Sequence, residues 1–157
     1  MAINTWKKQA DALALLDEDF LATLLEQKER EIYARIASLT NDELPVEYIE
    51  GKVTGGTINV DGSSAVRRTC SLTMIAEDVN FHDYYWGIRT KFRLEIGITN
   101  KLSGQYDPSN GDYPDIVWFP EGIFIISTFN TSLSVNSYTI SITGKDKMSM
   151  LNGELGG

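Results

Sequence analysis

Lys91-Phe92-Arg93-Leu94-Glu95-Ile96-Gly97-Ile98 decides the fold class. Phe92, Leu94, Ile96 and Ile98 alternate with Lys91, Arg93, Glu95 and Gly97, and a period of two puts the two sets on opposite faces of a strand. The expectation is an antiparallel strand with an apolar face to a core and a charged face to water. Downstream, Tyr138, Ile140 and Ile142 alternate in the same way with Thr139, Ser141 and Thr143. Ile123 to Ile126 is apolar on both faces and predicts a central strand. Upstream, Asp61-Gly62-Ser63-Ser64 separates Thr57-Ile58-Asn59-Val60 from the run Val66 to Ile75, which predicts a hairpin. Its turn is longer than two residues, so the turn type stays open. Gly55-Gly56 predicts a bulge or a sharp bend.

From Val46 onward the chain is rich in Thr, Ser, Val, Ile and aromatics, broken by glycine every few residues. About five to seven strands with short turns fit a small antiparallel β-barrel or sandwich over residues 46–157. Asn100 to Tyr113, with its Gly, Asn, Asp, Ser and Pro108, predicts the longest loop. Asp78 to Trp86 is irregular and unusually aromatic.

The segment before Pro45 has another character. Trp6 to Leu39 contains no Gly or Pro, and Leu13, Leu16, Phe20, Leu24, Ile32, Ile36 and Leu39 recur at spacings near three and four. One apolar helical stripe follows, so residues 1–45 are expected as an N-terminal helical arm, and the fold is mainly β (α+β). Asp17, Glu18 and Asp19 allow a break at residues 15–18, because anions favour a helix start. Glu26 with Arg30 and Glu31 with Arg35 form helical i,i+4 pairs, each contributing about 0.3 kcal/mol on an exposed face.

A net charge of -8, from 22 acidic and 14 basic residues, repels nucleic acid and anionic membrane surfaces. Cys70 is the single cysteine, so no intramolecular disulfide forms and paired-cysteine metal sites are excluded. A reducing cytoplasm is the expected place of folding. The first residues lack an apolar h-region, and no stretch is long enough to span a bilayer, so neither a signal peptide nor a membrane span is expected.

Chemistry-bearing constellations are few. His82-Asp83 is the one histidine beside a carboxylate, but no serine sits in a Gly-x-Ser-x-Gly context, and an ordinary loop histidine is expected. Asp107, Asn110, Asp112 and Asp115 group oxygen ligands of the kind calcium uses, without the EF-hand spacing, and a solvated loop is the expectation. No catalytic residue, cofactor or metal is therefore expected. Tyr84, Tyr85, Trp86, Trp118 and Phe119 supply either core or an aromatic platform for a sugar or protein. In the adjacent pair Arg67-Arg68, a strand turns one side chain inward, where a charge needs a partner. The alternatives for it are a buried ion pair, an inter-subunit contact, or a barrel-end arginine reaching solvent.

Four stretches carry a resemblance. Gly56-Thr-Ile-Asn-Val-Asp-Gly-Ser-Ser-Ala-Val-Arg-Arg-Thr-Cys-Ser-Leu-Thr-Met74 resembles the opening hairpin of the tail hub and baseplate proteins of tailed bacteriophages. The strand Lys91 to Gly97, then Val117-Trp-Phe-Pro-Glu-Gly-Ile-Phe-Ile-Ile126, then Ser141-Ile-Thr-Gly-Lys-Asp-Lys-Met-Ser-Met-Leu-Asn-Gly153 are similar to later motifs of that family, in the same order. The resemblance covers roughly residues 46–157. It implies a β-barrel related to tail-tube domains, a structural virion protein without catalysis that connects the tail tube to the baseplate or spike as hub or hub adaptor. It further implies other tail and baseplate proteins as partners, a homo-oligomeric ring (trimer or hexamer), assembly in the host cytoplasm, and no stable nucleic-acid or membrane binding. Edge strands of an open barrel are expected to pair with the next subunit. Larger hub proteins continue past the Leu-Asn-Gly exit whereas this chain stops at Gly157, so a split hub, a wedge or adaptor subunit and a truncated chain are all expectations. Candidate partner-binding residues are Leu13, Leu16, Phe20 and Leu24 on the arm, with Arg67, Arg68 and Trp118. The alternative is a carbohydrate- or receptor-binding β-module built on Trp86, Trp118 and the Asn100 to Tyr113 loop.

Overall fold

The computed structural model describes Leu25, residues 31–76, His82, and residues 85–100, 115–135, 137–151 and 153. Six strands follow one another: β1 (Ile32–Leu39), β2 (Pro45–Val60), β3 (Arg68–Ala76), β4 (Lys91–Asn100), β5 (Asp115–Leu133) and β6 (Tyr138–Asp146). A one-turn helix, α1 (Met148–Leu151), follows β6. The strands close into an antiparallel barrel in the order β1-β2-β3-β6-β5-β4. Two three-stranded meanders, β1-β2-β3 and β4-β5-β6, are joined along β1/β4 and β3/β6.

The mainly β expectation holds, and the small barrel it named is the fold. Two long strands make the closure possible. The first half of β2 pairs with β1 and its second half with β3, turning where the register shifts between Val53 and Gly55, as the Gly55-Gly56 bend predicted. The first half of β5 pairs with β4 and its second half with β6, with shifts opposite Leu94/Glu95 and between Ile126 and Thr128. The barrel therefore has two walls that share β2 and β5 as corners. One wall is β2-β1-β4-β5 and the other β2-β3-β6-β5.

Inside, Ile36, Met74, Phe92, Leu94, Phe124, Ile126, Ile140 and Ile142 are fully buried, and the Phe92 and Phe124 rings meet at 5.8 Å. Burial of each such side chain contributes about 1.5–3 kcal/mol. Trp86 joins them from the segment after β3, stacked on Phe129 with centroids 5.5 Å apart. The Asp61-Gly62 turn is held by the Asp61 carboxylate, which accepts from the Ser63 amide at 2.9 Å and its hydroxyl at 2.6 Å.

Three expectations are corrected. Ile32, Ile36 and Leu39 do not belong to a helical arm: they lie in β1, a central strand between β2 and β4, so the boundary at residue 45 falls inside the barrel. The helical spacing misleads because six consecutive residues of β1, Ala34 to Leu39, are buried on both faces, so no polar side with a period of two marks the strand. Glu31 and Arg35 accordingly form no i,i+4 pair; Glu31 bonds Lys52 at 2.8 Å and Arg35 bonds Glu95 at 2.5 Å. The charged side of β4 does not face water either, because Glu95 is only 3% exposed. Finally, the barrel is closed, so the paired lengths of its strands leave no open edge for a neighbouring subunit to extend. Leu13, Leu16, Phe20 and Leu24 lie outside the described residues, as do residues 101–114 of the long loop.

Candidate interaction surface

Arg68 begins β3, and the alternation that turns Cys70, Leu72 and Met74 inward turns Arg68 toward the barrel mouth. Its guanidinium lies 5.3 Å from the Phe124 ring and donates through Nη2 to the carbonyl of Glu121. Its own amide donates to Asp146 Oδ2 at 3.0 Å. Gly122 makes the approach possible. Its φ of 125° is in the region that favours glycine, and a Cβ there would stand 2.7 Å from Arg68 Nη1. Asp146 also starts α1, accepting from the Met148 amide at 3.0 Å through Oδ1 while its carbonyl accepts the Ser149 hydroxyl at 2.7 Å. Arg68, Glu121-Gly122, Phe124, Asp146 and Met148 come from three of the four stretches quoted above and meet at one place. Arg67, by contrast, is exposed and precedes the strand.

A second polar cluster surrounds Glu47. Its Oε1 is 2.8 Å from His82 Nδ1, its Oε2 accepts the Trp86 indole N–H at 2.8 Å, and the His82 amide donates to both oxygens. Burial alone would raise the Glu47 pKa, but the donors from His82 and Trp86 outweigh it and hold the carboxyl below the ordinary value of 4.5. The arrangement ties the segment carrying Trp86 to β2. His82 therefore has Glu47 as a partner, from a strand 35 residues away, a pairing that sequence proximity did not suggest. Asp83 lies outside the described residues.

The outer side of the β2-β1-β4-β5 wall holds the third cluster. Arg35 Nε bonds Glu95 Oε2 at 2.5 Å, Arg93 Nε lies 3.5 Å from Glu95 Oε1, and Arg35 Nη1 lies 3.5 Å from Glu50. The Arg35 guanidinium is 4.5 Å from the Trp118 ring. Trp118 crosses the strand at Gly97, where a Cβ would meet its ring carbons at 2.9 Å and Ile116 Cγ2 at 2.5 Å. Trp118 is 7% exposed and Trp86 is 2% exposed, so neither indole offers a platform to a sugar.

A groove of about 510 Å³ runs between the β1-β2 turn, residues 85–91 and α1. Val46, Tyr85, Ile88 and Met150 line it, and Leu44 lies beside it; Leu44 and Ile88 are more than half exposed. Glu43, at φ 64°, bonds Lys147 and lies 3.5 Å from Lys91 Nζ, joining the turn to both sides of the groove. The Lys147 bond acts against a small burial effect, and with the two ammonium groups it holds the Glu43 carboxyl below its ordinary value. Cys70 is buried in the barrel, which pushes its thiol up to about 12 and removes it as a nucleophile. Among the described residues no group of three His, Cys, Asp or Glu could hold a metal ion.

Fold and site together define a closed six-stranded antiparallel barrel with exposed Val46, Ile88 and Met150 lining one groove at its surface. No family model and no curated protein matches the chain. A chain in the solved structure titled "Structure of PdpA-VgrG Complex, Lidless" is similar at 14% identity and a TM-score of 0.44, over 79% of this chain and 21% of that one.

Proposed function

We propose that this protein is a structural component of a phage-tail-like assembly, of the hub or hub-adaptor class, acting through protein contacts and without catalysis. One observation carries the reading. Three of the four ordered stretches that resemble tail hub proteins meet in the Arg68 lock, where Arg68 is held by the Glu121 carbonyl and Phe124 while Asp146 joins β3 to α1. Residues shared with such a family for structural reasons should do this: they hold the barrel shut and leave recognition to the outside. The groove between Val46, Ile88 and Met150 is the surface for a neighbouring tail or baseplate subunit, since it gathers exposed apolar groups beside lysines at one place. Ring closure as a trimer or hexamer then uses side-chain faces, because the closed barrel has no free edge along its paired strands.

Co-expression with the neighbouring tail genes tests this. The wild-type chain is expected in purified tail particles, and Ile88→Asp with Met150→Asp is expected to lose incorporation while keeping its strand-type circular dichroism. Full incorporation of that folded double variant would remove the groove from the interface. Absence of the wild-type chain from every tail particle would remove the assembly role.

A further inference from the structure

The barrel has no open edge where a strand is paired on both sides, but β2 outruns β1. Pairing of β1 with β2 stops at Tyr33 and Lys52, whereas β2 continues along β3 to Val60. Over Thr54-Gly-Gly-Thr-Ile-Asn-Val60 one edge is therefore bonded to β3, and among the described residues no strand pairs with the other. The phase of the ladder fixes which groups point there. Asp61 donates its amide to the Arg67 carbonyl at 2.7 Å, so Asn59, Thr57 and Gly55 are the residues that bond Thr69, Ser71 and Thr73. The backbone N–H and C=O groups of Gly56, Ile58 and Val60 then face the free side. Beyond the register shift at Val53/Gly55 this edge carries none of the usual guards: it holds no proline and no charge, and every residue of it except Ile58 is exposed. An aliphatic pocket of about 260 Å³ opens beside it, between Ile32, Val53, Ile58, Leu72, Leu94 and Ile96. These are inward positions of the barrel, yet Ile32 is 44% exposed and Val53, Ile58 and Ile96 are only partly buried, at the place where β1 ends.

We propose that Gly55 to Val60 of β2 is a strand-addition site, where an extended, uncharged segment of a partner protein pairs with Gly56, Ile58 and Val60 and places an aliphatic side chain in the pocket. The backbone decides the conformation of the occupant. Donors and acceptors offered at every second residue are matched by another extended chain, whereas a helix has already bonded its own groups within itself. The pocket decides the side chains. An extended chain turns alternate residues to one face, so those on the barrel side meet Val53, Ile58 and Ile96, and the lining offers them no charged and no aromatic group. Charge decides the rest. Lys52, just before this stretch, already bonds Glu31 at 2.8 Å, and Thr54 to Val60 carries no ion, so an uncharged segment fits best. Gly55 to Val60 is about 20 Å long, enough to hold a segment of similar length in register. The pocket shares no residue with the groove of Val46, Ile88 and Met150. This inference therefore goes beyond the assembly reading, and each can fail without the other.

The probe is the acetylated and amidated peptide Lys-Thr-Ile-Thr-Val-Thr-Ile-Thr-Lys, titrated into the full chain and followed by amide and methyl NMR. Shifts are expected at the amides of Gly56, Ile58 and Val60 and at the methyl groups of Ile32, Ile58 and Ile96, with those of Ile126 and Ile140 unmoved. Two forms of the peptide, N-methylated on one or the other alternate set of amides, test the backbone bonds, and at least one is expected to bind about tenfold more weakly. A form with serine for isoleucine and valine tests the pocket and is expected to lose about tenfold as well. In the protein, Val60→Pro removes a donor from the free side alone, and it should weaken the parent peptide while strand-type circular dichroism persists. No binding, equal affinity of the parent and both N-methylated forms, or shifts confined to residues outside 53–60 and the pocket would overturn the proposal. So would self-association of the free chain that Val60→Pro abolishes, because the edge would then belong to a second copy.

Discussion

Removing one partner of the Arg35–Glu95 pair should cost far more than removing both. The pair bonds at 2.5 Å with side-chain exposures of 6% and 3%, so each charge has given up its water for the other. In Arg35→Met, Glu95 loses its 2.5 Å partner, and the contact of the guanidinium with Trp118 is lost. In Glu95→Leu, the carboxylate left to Arg35 among the described residues is the more distant, half-exposed Glu50 at 3.5 Å. Each single variant is expected to lose about 3–5 kcal/mol, a large part of the roughly 5–15 kcal/mol that stabilises an ordinary domain. The double variant Arg35→Met, Glu95→Leu replaces both buried charges by apolar groups and is expected within about 1 kcal/mol of wild type or above it. Urea unfolding followed by circular dichroism gives all four free energies, and the cycle yields the coupling. If the double variant loses the sum of the two single losses, the pair is not desolvated and the reasoning fails.

Gly97→Ala should lower the urea midpoint, because its Cβ arrives within 2.9 Å of the Trp118 ring; overpacking of this kind costs about 1–3 kcal/mol, and Trp118→Leu in the same chain should recover part of it. The Cys70 thiol should stay unmodified by a thiol reagent at neutral pH and react only on unfolding, as its burial and raised pKa require. Glu47, held below 4.5, contributes stability that is present above that value and is lost as pH falls through its folded pKa. Acid titration of Glu47→Gln should therefore show a shallower loss of stability below about pH 4.5 than wild type. Identical acid limbs would remove the His82–Glu47–Trp86 cluster from the stability of the fold.

The strands from Val46 onward were legible because their two sides have different surroundings. Phe92 to Ile98 and Tyr138 to Ile142 face a core, and the alternation survives in the residues themselves. The Asp61-Gly62 turn and the Gly55-Gly56 bend were legible for a local reason, since turn chemistry is confined to a few neighbouring residues. β1 was not legible. Buried on both faces from Ala34 to Leu39, it has no polar side to mark its period, and only pairing with β2 and β4 makes it a strand. The site divides along the same line. That an inward arginine of the Arg67-Arg68 pair must find a partner followed from the cost of burying a charge. Which arginine it is, and that a carbonyl and an aromatic ring from β5 receive it, depends on residues 53 positions apart in the chain.

By itself, then, the sequence determined an antiparallel β fold, its turns and a core, because those properties are written in alternation and local turn residues. Tertiary structure alone decided the closure of the barrel and the burial of Arg35 with Glu95. Those depend on which strands become neighbours. A charge pattern such as Lys91, Arg93, Glu95 reads as solvated until another surface takes its water away.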